Sequence, residues 1–356
     1  MDKIPVNLLT GFLGSGKSTL LSNLLLDMRF ENTAVVVNEF GATGLDGILI
    51  EHAEEQIVEM TSGCLCCTVR GDVHQTLMML FGKRERGEVP KFDRIVIETT
   101  GLADPAPVIH TLMNDPFLDR RYFLGGVITT IDAFNGLETL NTHFESQKQA
   151  AVADRIVITK TDLLEGASSN EKLGNLRKLI SGLNHLAPII DLKSPEFNPN
   201  ELFNTSLYDP KTKSIDVNRW LHSEAEDIDH KHGHDVHHDH NHSHDISRHG
   251  SDIRSFTLTF NFPLDVENFA AAIDALTMFH GNNLLRIKGI IKTTDNPNKP
   301  LVIHGVQHIF HQPVWLEGWG DCDKRTRIVF ITNGIKRQTL EDYFKAWLEK
   351  KGAEWS

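Results

Sequence analysis

Two short motifs near the start of the chain carry residues whose types and spacing could do chemistry. The first, GFLGSGKS, matches the G-x-x-x-x-G-K-[ST] pattern of a phosphate-binding loop. It follows an apolar run, Val6 to Thr10, and precedes a helical pattern, Ser18 to Met28, so its N–H groups would surround phosphates at a helix N-terminus. Lys17 is predicted to neutralise the β- and γ-phosphates, and the Ser18 hydroxyl to bind Mg²⁺. The predicted phosphate-binding residues are Gly11, Gly14, Ser15, Gly16, Lys17, Ser18 and Thr19.

The second motif is a cysteine cluster, GCLCC, that holds Cys64, Cys66 and Cys67. Cys322 stands alone, and this spacing suits reduced thiol ligands better than a disulfide framework. Thiolates select Zn²⁺ or Cu(I), and a nearby carboxylate or histidine would complete the four ligands that zinc prefers. Because the cluster follows the apolar run Ile57 to Met60, and loops after parallel strands converge on one sheet edge, we expect the thiols beside the phosphate loop. Small buried hydrophobes and a redox pair of vicinal thiols are the alternatives.

Acidic residues and glycines in two further segments are candidates for the same edge. RIVIETTG places Glu98 at the end of a β pattern, where we predict that it orders Mg²⁺ or its waters, and Gly101 follows three residues on. In NEFGATGLDG, Glu39 and Asp46 flank a glycine-rich segment able to order around a γ-phosphate and relax without it. Each carboxylate could instead cap a loop or lie exposed at a strand end. The predicted catalytic residues are Lys17, Glu39 and Glu98.

The segment TKTD, Thr159 to Asp162, predicts which base the site selects. In the N/T-K-x-D pattern an Asp carboxylate accepts two hydrogen bonds from guanine, whereas adenine offers no such donor pair and would leave the charge unsatisfied. Asp162 therefore favours GTP over ATP, and the aliphatic stem of Lys160 can cover the base. Thr159 stands where the wider G-protein pattern more often has Asn, which weakens the argument for guanine from sequence.

Length and charge limit the function classes. A chain of 356 residues is long enough for two domains, and its net charge of −12 argues against a nucleic-acid partner. The sequence has no apolar run long enough to span a membrane, and its first residues lead directly into a motif-bearing strand without a signal peptide. We therefore expect a soluble cytoplasmic protein with no membrane partner.

The order of apolar patterns predicts the fold class and the domain division. Strand-like and helix-like runs alternate before the linker, which indicates an α/β P-loop NTPase with a parallel sheet covered by helices. After the linker the order indicates a smaller α+β C-terminal domain, ferredoxin-like in outline. The predicted division is 1–210 for the nucleotide domain, 211–252 for a His-rich flexible linker and 253–356 for the C-terminal domain.

Histidines concentrate in that linker. Ten of the 19 histidines lie between His222 and His249, interspersed with Asp and small residues, a composition that predicts many weak metal sites without the geometry to choose among metals. A solvated acidic linker is the alternative. The predicted weak ligands are His230, His232, His234, His237, His238, His240, His242 and His244. His304, His308 and His311 need no functional explanation.

These motifs together resemble the CobW-like family of metal-trafficking GTPases, relatives of the urease and hydrogenase nickel-insertion GTPases. The resemblance covers essentially the whole chain and rests on TGFLGSGKST, VNEFG, GCLCC, ETTG, TKTD and a C-terminal domain that begins near Ile253. It implies GTPase activity, Mg²⁺ at Ser18, guanine at Asp162, and zinc at Cys66 and Cys67 with Cys64 beside them. It further suggests Glu39 as an additional zinc contact and implies delivery of zinc to a client metalloprotein.

Three other functions stay open at this point. A cobalt-handling GTPase of cobalamin synthesis belongs to the same family, whereas a P-loop kinase or a passive zinc buffer would belong to other classes. The predicted cofactors are GTP, Mg²⁺ and Zn²⁺, and we expect GTP and zinc to affect each other's binding. Because the segment NEFGATGLDG shows no obvious glutamine or arginine finger, the intrinsic hydrolysis of GTP should be slow. The oligomeric state and the client are left open.

Overall fold

The structure is a computed structural model of two units, each built on a β-sheet. It describes residues 3–38, 56–59, 65–69, 73–164, 166, 169–192, 197–203, 252–319 and 323–348, with only the backbone at 38, 56–59, 65–69 and 200–201. The strands are β1 (Ile4–Gly11), β2 (Thr33–Asn38), β3 (Gln56–Glu59), β4 (Leu65–Val69), β5 (Arg94–Thr99), β6 (Tyr122–Asp132), β7 (Arg155–Thr159), β8 (Ile189–Asp191), β9 (Ile253–Phe260), β10 (Leu284–Ile291), β11 (Leu301–Val306), β12 (Ile309–Phe310), β13 (Val314–Trp315) and β14 (Thr326–Asn333). The helices are α1 (Lys17–Leu25), α2 (Val73–Glu85), α3 (Ala106–Asn114), α4 (Pro116–Asp119), α5 (Gly136–Thr142), α6 (Phe144–Val152), α7 (Ser169–Leu183), α8 (Asn200–Phe203), α9 (Val266–His280) and α10 (Arg337–Leu348).

The first sheet has the order β3-β4-β2-β5-β1-β6-β7-β8. Every neighbouring pair is parallel except β3 and β4, which are antiparallel. The central strands read as continuous apolar runs because helices cover both faces, and Val6, Leu8, Ile95 and Ile97 are fully buried. This confirms the predicted α/β architecture and brings the carboxyl ends of the parallel strands to one edge.

The second sheet is antiparallel throughout, with the order β12-β11-β10-β14-β9 and β13 paired to β11. Both α9 and α10 pack on one of its faces, where Phe260, Phe330 and Phe344 form part of a separate hydrophobic core. The Asp265 side chain caps α9 by accepting a hydrogen bond from the Asn268 N–H at 2.9 Å, and the helix begins at the next residue, Val266. The predicted two-layer α+β unit is confirmed.

The other face of the second sheet packs against the first unit. Ile253, Leu285 and Ile331 lie in one hydrophobic cluster with residues of β6, β7 and α7. At the centre of this contact, the fully buried Asp154 pairs with Lys288 at 2.8 Å and with Arg286. The two units therefore share a buried interface. No helix in the described part of the chain is both long and apolar enough to cross a membrane.

Candidate functional site

The phosphate loop joins β1 to α1 at the carboxyl edge of the first sheet. Gly16 has φ +87°, a left-handed conformation that L side chains rarely adopt, and α1 begins at the next residue. The backbone there turns the Lys17 side chain back over the loop, where its Nζ donates to the carbonyl oxygens of Gly11 at 2.8 Å and Phe12 at 3.1 Å. The lysine amine thus lies inside the loop.

Lys17 is the buried charge of this loop, with 8% of its surface exposed. Burial lowers the pKa of its ammonium group, and the negative charge of Glu98 opposes the shift only in part. The two carbonyl oxygens accept hydrogen bonds but carry no charge to neutralise it. Among the residues that the structure describes, no carboxylate bonds the Lys17 amine, so a phosphate group would neutralise it more fully than the carbonyl oxygens do.

Glu98 and Ser18 meet at the same edge. Glu98 lies on β5 beside Leu9 of β1, and its Oε1 accepts a hydrogen bond from the Ser18 hydroxyl at 2.5 Å. The sequence predicted both residues as magnesium ligands from separate motifs, and the structure brings them into direct contact. Carboxylate and hydroxyl oxygens are the hard ligands that Mg²⁺ prefers, so this pair fits that ion.

The loop after β5 approaches the phosphate loop closely at Gly101. A Cβ atom at Gly101 would lie 2.6 Å from the backbone nitrogen of Leu13, so the contact requires glycine. The buried Gln149 of α6 holds this loop from the other side, because its amide donates to the carbonyl oxygens of Gly101 at 3.1 Å and Ala103 at 3.0 Å. Sequence reasoning identified Gly101 but missed Gln149, whose partners lie far away along the chain.

Thr159 and Lys160 tie the predicted base-binding segment to the phosphate loop. The Thr159 hydroxyl donates to the Ser15 carbonyl oxygen at 2.7 Å, and the Ser15 hydroxyl in turn bonds the Thr130 hydroxyl at 2.6 Å. Thr159 thus fastens the phosphate loop through its own hydroxyl, even though it departs from the more common Asn. Asp162 follows on a 3₁₀ turn, Thr161–Leu163, and is exposed.

Asp132, at the carboxyl end of β6, is a second site residue that sequence reasoning missed. Its Oδ2 accepts a hydrogen bond from Lys160 Nζ at 2.7 Å, and its Oδ1 accepts one from the Phe134 N–H at 2.7 Å. Burial raises the pKa of Asp132, but these bonds outweigh it and hold the pKa below its usual value. The signal that found Glu98, a carboxylate at the end of a β pattern, applies equally here, because Asp132 is the last residue of β6.

Asp132 and Lys160 line a small cavity of about 90 Å³ together with the phosphate loop. Phe12 and Ser15 form one wall and Asn135 another. Phe12 also stacks on His143 with ring centroids 4.5 Å apart, which fixes the rim of the loop against the start of α6. The cavity therefore lies between the phosphate loop and the segment predicted to select the base.

The prediction that the cysteine cluster follows a parallel strand was wrong. β3 runs antiparallel to β4, and Cys66 and Cys67 lie within β4 rather than in a loop at its carboxyl end. Cys66 is level with Val35 of β2, two residues before Val37, which is level with Glu98. At about 3.3 Å per residue this places the Cys66 backbone about 7 Å below the level of Glu98. A short apolar run carries no information on strand direction, so the error could not be avoided from sequence.

Several predicted site residues fall outside the described residues. Glu39, Asp46 and Cys64 are among them, and so are the linker ligands His230, His232, His234, His237, His238, His240, His242 and His244. Within the ranges that the structure does describe, no group of three or more His, Cys, Asp or Glu side chains is arranged to hold a metal ion. His304 is a buried core residue with 5% of its surface exposed, which agrees with its predicted lack of function.

Comparison with known families decides where this chain belongs. The family described as "CobW/HypB/UreG, nucleotide-binding domain" matches residues 5–191, and "Cobalamin synthesis protein cobW C-terminal domain" matches residues 253–348. The chain belongs to the CobW/HypB/UreG family. The first match covers the phosphate loop, Glu98 and TKTD, so the first unit is a nucleotide-binding domain, and the predicted family is confirmed.

Two CobW/HypB/UreG relatives cover nearly the whole chain, and a third covers about half of it. "Zinc chaperone YjiA" of Escherichia coli is 33% identical over 344 residues, which span 97% of this chain and 98% of that protein. "Zinc chaperone CobW" of a Sinorhizobium species is 30% identical over 362 residues, 92% of each chain. "Zinc-regulated GTPase metalloprotein activator 1" of Schizosaccharomyces pombe is 36% identical over 198 residues, 54% of this chain and 46% of that protein.

A solved structure shows the same two-part architecture. The crystal structure of Zn(II)-bound YjiA GTPase from E. coli matches this chain with a TM-score of 0.72 and 30% sequence identity. The match covers 98% of this chain and 100% of that one. A structure of a triple mutant of the same protein, also Zn(II)-bound, matches with the same TM-score of 0.72.

Proposed function

We propose that this chain is a GTPase that binds zinc and delivers it to a client metalloprotein, with nucleotide state controlling metal binding. The observation that carries the proposal is the contact between Ser18 and Glu98 beside the buried Lys17. It occurs in a chain whose near full-length relatives in E. coli and Sinorhizobium are named zinc chaperones. The proposed division of labour keeps residues 1–210 for nucleotide, 211–252 for weak metal capture and 253–356 for the C-terminal domain.

In the proposed mechanism GTP replaces the internal contacts of the phosphate loop. Phosphate oxygens carry charge, so they are better acceptors for the Lys17 ammonium than the carbonyl oxygens of Gly11 and Phe12. Ser18 and Glu98 would hold Mg²⁺, which supplies charge neutralisation at the phosphates when bound. Glu39 and Glu98 are the candidates for orienting the attacking water, and hydrolysis is slow until metal or client completes the site.

The proposed base selection depends on Asp162, which would accept hydrogen bonds from guanine. Lys160 would lie along the base, and its ion pair with Asp132 at 2.7 Å holds it at the cavity wall before any base arrives. Thr159 fixes the phosphate loop against the same segment. The base and phosphate contacts are thus supported by one hydrogen-bonded frame, which is a preorganised arrangement.

Zinc is the proposed cargo, bound by Cys64, Cys66 and Cys67 with Glu39. What supports a coupling of zinc to GTP is the position of β2, which lies between β4, with Cys66 and Cys67, and β5, with Glu98. Residue 39 follows directly after β2. A ligand that orders the chain after β2 would therefore act on both sites, and linkage requires each ligand to change the affinity of the other equally.

The experiment that tests the proposal titrates Zn²⁺ into the full chain with and without a non-hydrolysable GTP analogue. We expect zinc to bind about tenfold more tightly with the analogue, within the usual range of coupling energies. Cys66→Ser with Cys67→Ser should remove the tight site, while weak linker binding remains. Equal zinc affinities in the two titrations would refute the coupling.

Two controls separate activity from metal binding. Phosphate release from GTP but not ATP, lost in Lys17→Ala, is expected of a guanine-selective GTPase. Competition between Co²⁺ and Zn²⁺ at the tight site separates zinc delivery from cobalt handling, because a cobalt protein would retain Co²⁺ at equal concentrations. Pull-down with and without the GTP analogue would then identify a client.

A further inference from the structure

A second, basic cavity lies at the edge of the first sheet opposite the phosphate loop. It has a volume of about 900 Å³, within the range of small-molecule sites. It includes Ile4, the first residue of β1, and Arg121, which directly precedes β6. The phosphate loop starts at Gly11, seven residues along β1, or about 23 Å away at the rise of a parallel strand. The two sites are therefore separate.

The charges that line this cavity are mostly positive. Its five basic side chains are Lys3, Arg84, Lys91, Arg120 and Arg121. Against them stand two acidic side chains, Glu85 and Asp93, an excess of three positive charges. Asp119, outside the lining, would reduce that excess by one. The chain as a whole carries a net charge of −12, so a basic cavity does not follow from its composition.

Only some of these cations are neutralised internally. Lys3 pairs with Asp119 at 2.9 Å, and Arg84 pairs with Glu85 at 3.1 Å. Lys91, Arg120 and Arg121 form no ion pair with any residue that the structure describes. This is the same condition that marks the phosphate loop, where Lys17 contacts only uncharged acceptors.

Arg121 is held rigidly in place. Its guanidinium carbon lies 3.5 Å from the centroid of the Phe117 ring and 4.9 Å from that of Phe81, and its Nη1 donates to the Phe117 carbonyl oxygen at 3.1 Å. Its Nε is buried and has no hydrogen-bond partner in the described part of the chain. The buried Nε does not reach the cavity, but a planar guanidinium held against two rings keeps a fixed orientation that suits an anion such as phosphate.

We propose that this cavity binds a small molecule that carries two or more phosphate groups. With Asp119 counted, an excess of two positive charges remains. A single diphosphate or triphosphate compensates it, whereas a monocarboxylate would leave half of it uncompensated. The concave shape favours a compact ligand over an extended acidic peptide, which would need a longer surface. The site is independent of the proposed GTP and zinc chemistry.

The test titrates tripolyphosphate into the metal-free full chain with the phosphate loop saturated by GDP, and follows binding by calorimetry. We expect one tripolyphosphate per chain, weaker binding of inorganic phosphate, and a marked loss of affinity at higher salt. Arg121→Gln should weaken tripolyphosphate at least tenfold, and so should the double variant Lys91→Gln with Arg120→Gln. Arg325→Gln, which removes the same charge from the C-terminal domain, should have no effect.

Three outcomes would overturn the proposal. They are no binding in the unmodified chain, binding that survives the Lys91 and Arg120 substitutions, and binding of an acidic glutamate peptide without binding of tripolyphosphate. The last would identify a protein-docking surface instead. If Arg121→Gln fails to fold because its ring contacts are lost, the double variant of the exposed Lys91 and Arg120 decides alone.

Discussion

The nucleotide site and the interface between the two units both bury a lysine near a carboxylate, but they resolve the charge differently. In the nucleotide site Lys17 contacts two backbone carbonyl oxygens, while the carboxylate of Glu98 is held by Ser18. In the interface, the carboxylate of Asp154 pairs directly with Lys288 and Arg286. In the first arrangement the cation and the anion each bond uncharged groups, and we call such charges unmatched. In the second the opposite charges bond each other directly, and we call them matched, although two cations share one anion.

The pKa shifts follow this difference. Burial lowers the pKa of Lys17, and the negative charge of Glu98 opposes the shift only in part. Burial alone would raise the pKa of Asp154, but Arg286 and Lys288 outweigh it and hold the pKa below its usual value. The comparison teaches that a buried polar cluster with an unmatched charge is built for a ligand, and one with matched charges is built for the fold.

The largest expected effect on ligand binding is at the unmatched charge of Lys17. Lys17→Ala removes the only charge contact that the loop offers to phosphates, so GDP affinity should fall by about 100-fold, or roughly 2.7 kcal/mol. Thermal stability should stay unchanged, because the lysine bonds only carbonyl oxygens of its own loop. Calorimetric titration with GDP measures the loss, and the exposed Lys172→Ala serves as the matched control. A large fall in stability would mean that Lys17 is structural after all.

The reverse result is expected at the matched charges. Asp154→Ala leaves Arg286 and Lys288 buried without their anion, and the free energy of unfolding should fall by about 3–5 kcal/mol. GDP affinity at the loop should change little in the protein that remains folded. Urea unfolding followed by circular dichroism measures the loss. Replacing Arg286 and Lys288 by Met in the same variant should recover part of it, and no recovery would contradict the assignment to unmatched charge.

A smaller effect is expected at Asp132, whose charge is paired directly with Lys160 but lies in the nucleotide site. Asp132 is matched by Lys160, yet Lys160 is proposed to serve the base, so Asp132→Asn should raise the KM for GTP about tenfold with little change in kcat. That corresponds to about 1.4 kcal/mol, a typical charged hydrogen bond. Steady-state phosphate release measures both constants. Asp104→Asn, which disturbs the partly exposed pair with Lys148 at 3.3 Å, is the control, and an equal effect there would remove the special role of Asp132.

The nucleotide site was largely predictable because its chemistry fixes residue types at short spacing. Gly16, Lys17 and Ser18 lie next to one another in sequence, and each is required by backbone conformation or by phosphate contact. Glu98 and Thr159 lie far along the chain, yet each follows a strand pattern, and parallel strands bring such ends together. The family resemblance rested on the same motifs.

The interface could not be predicted, because nothing local marks it. Asp154 and Lys288 are 134 residues apart in sequence, and each alone reads as an ordinary surface charge. The direction of β3 was equally hidden, since Gln56–Glu59 is short and its apolar pattern is the same in either direction. Local motifs therefore predicted the site, while pairings set by the fold required the structure.

The smallest expected effect is on the pH dependence of stability, and it concerns His311, a histidine near Asp154 and Arg286. Burial lowers the pKa of His311 to about 4, so the folded chain keeps this ring neutral at pH values where an unfolded histidine, with a pKa of about 6.5, binds a proton. Its contribution to stability is complete above pH 6.5 or so and is lost as the pH falls toward about 4. His311→Gln should therefore flatten the decline of unfolding free energy over that range by up to about 1 kcal/mol per pH unit. Urea unfolding at several pH values measures how steeply the unfolding free energy falls with pH, and His308→Gln, at an exposed position, is the control. An unchanged slope in His311→Gln would show that the folded interface accepts a protonated His311. In that case the paired charges of Asp154 would not be what holds the two units together.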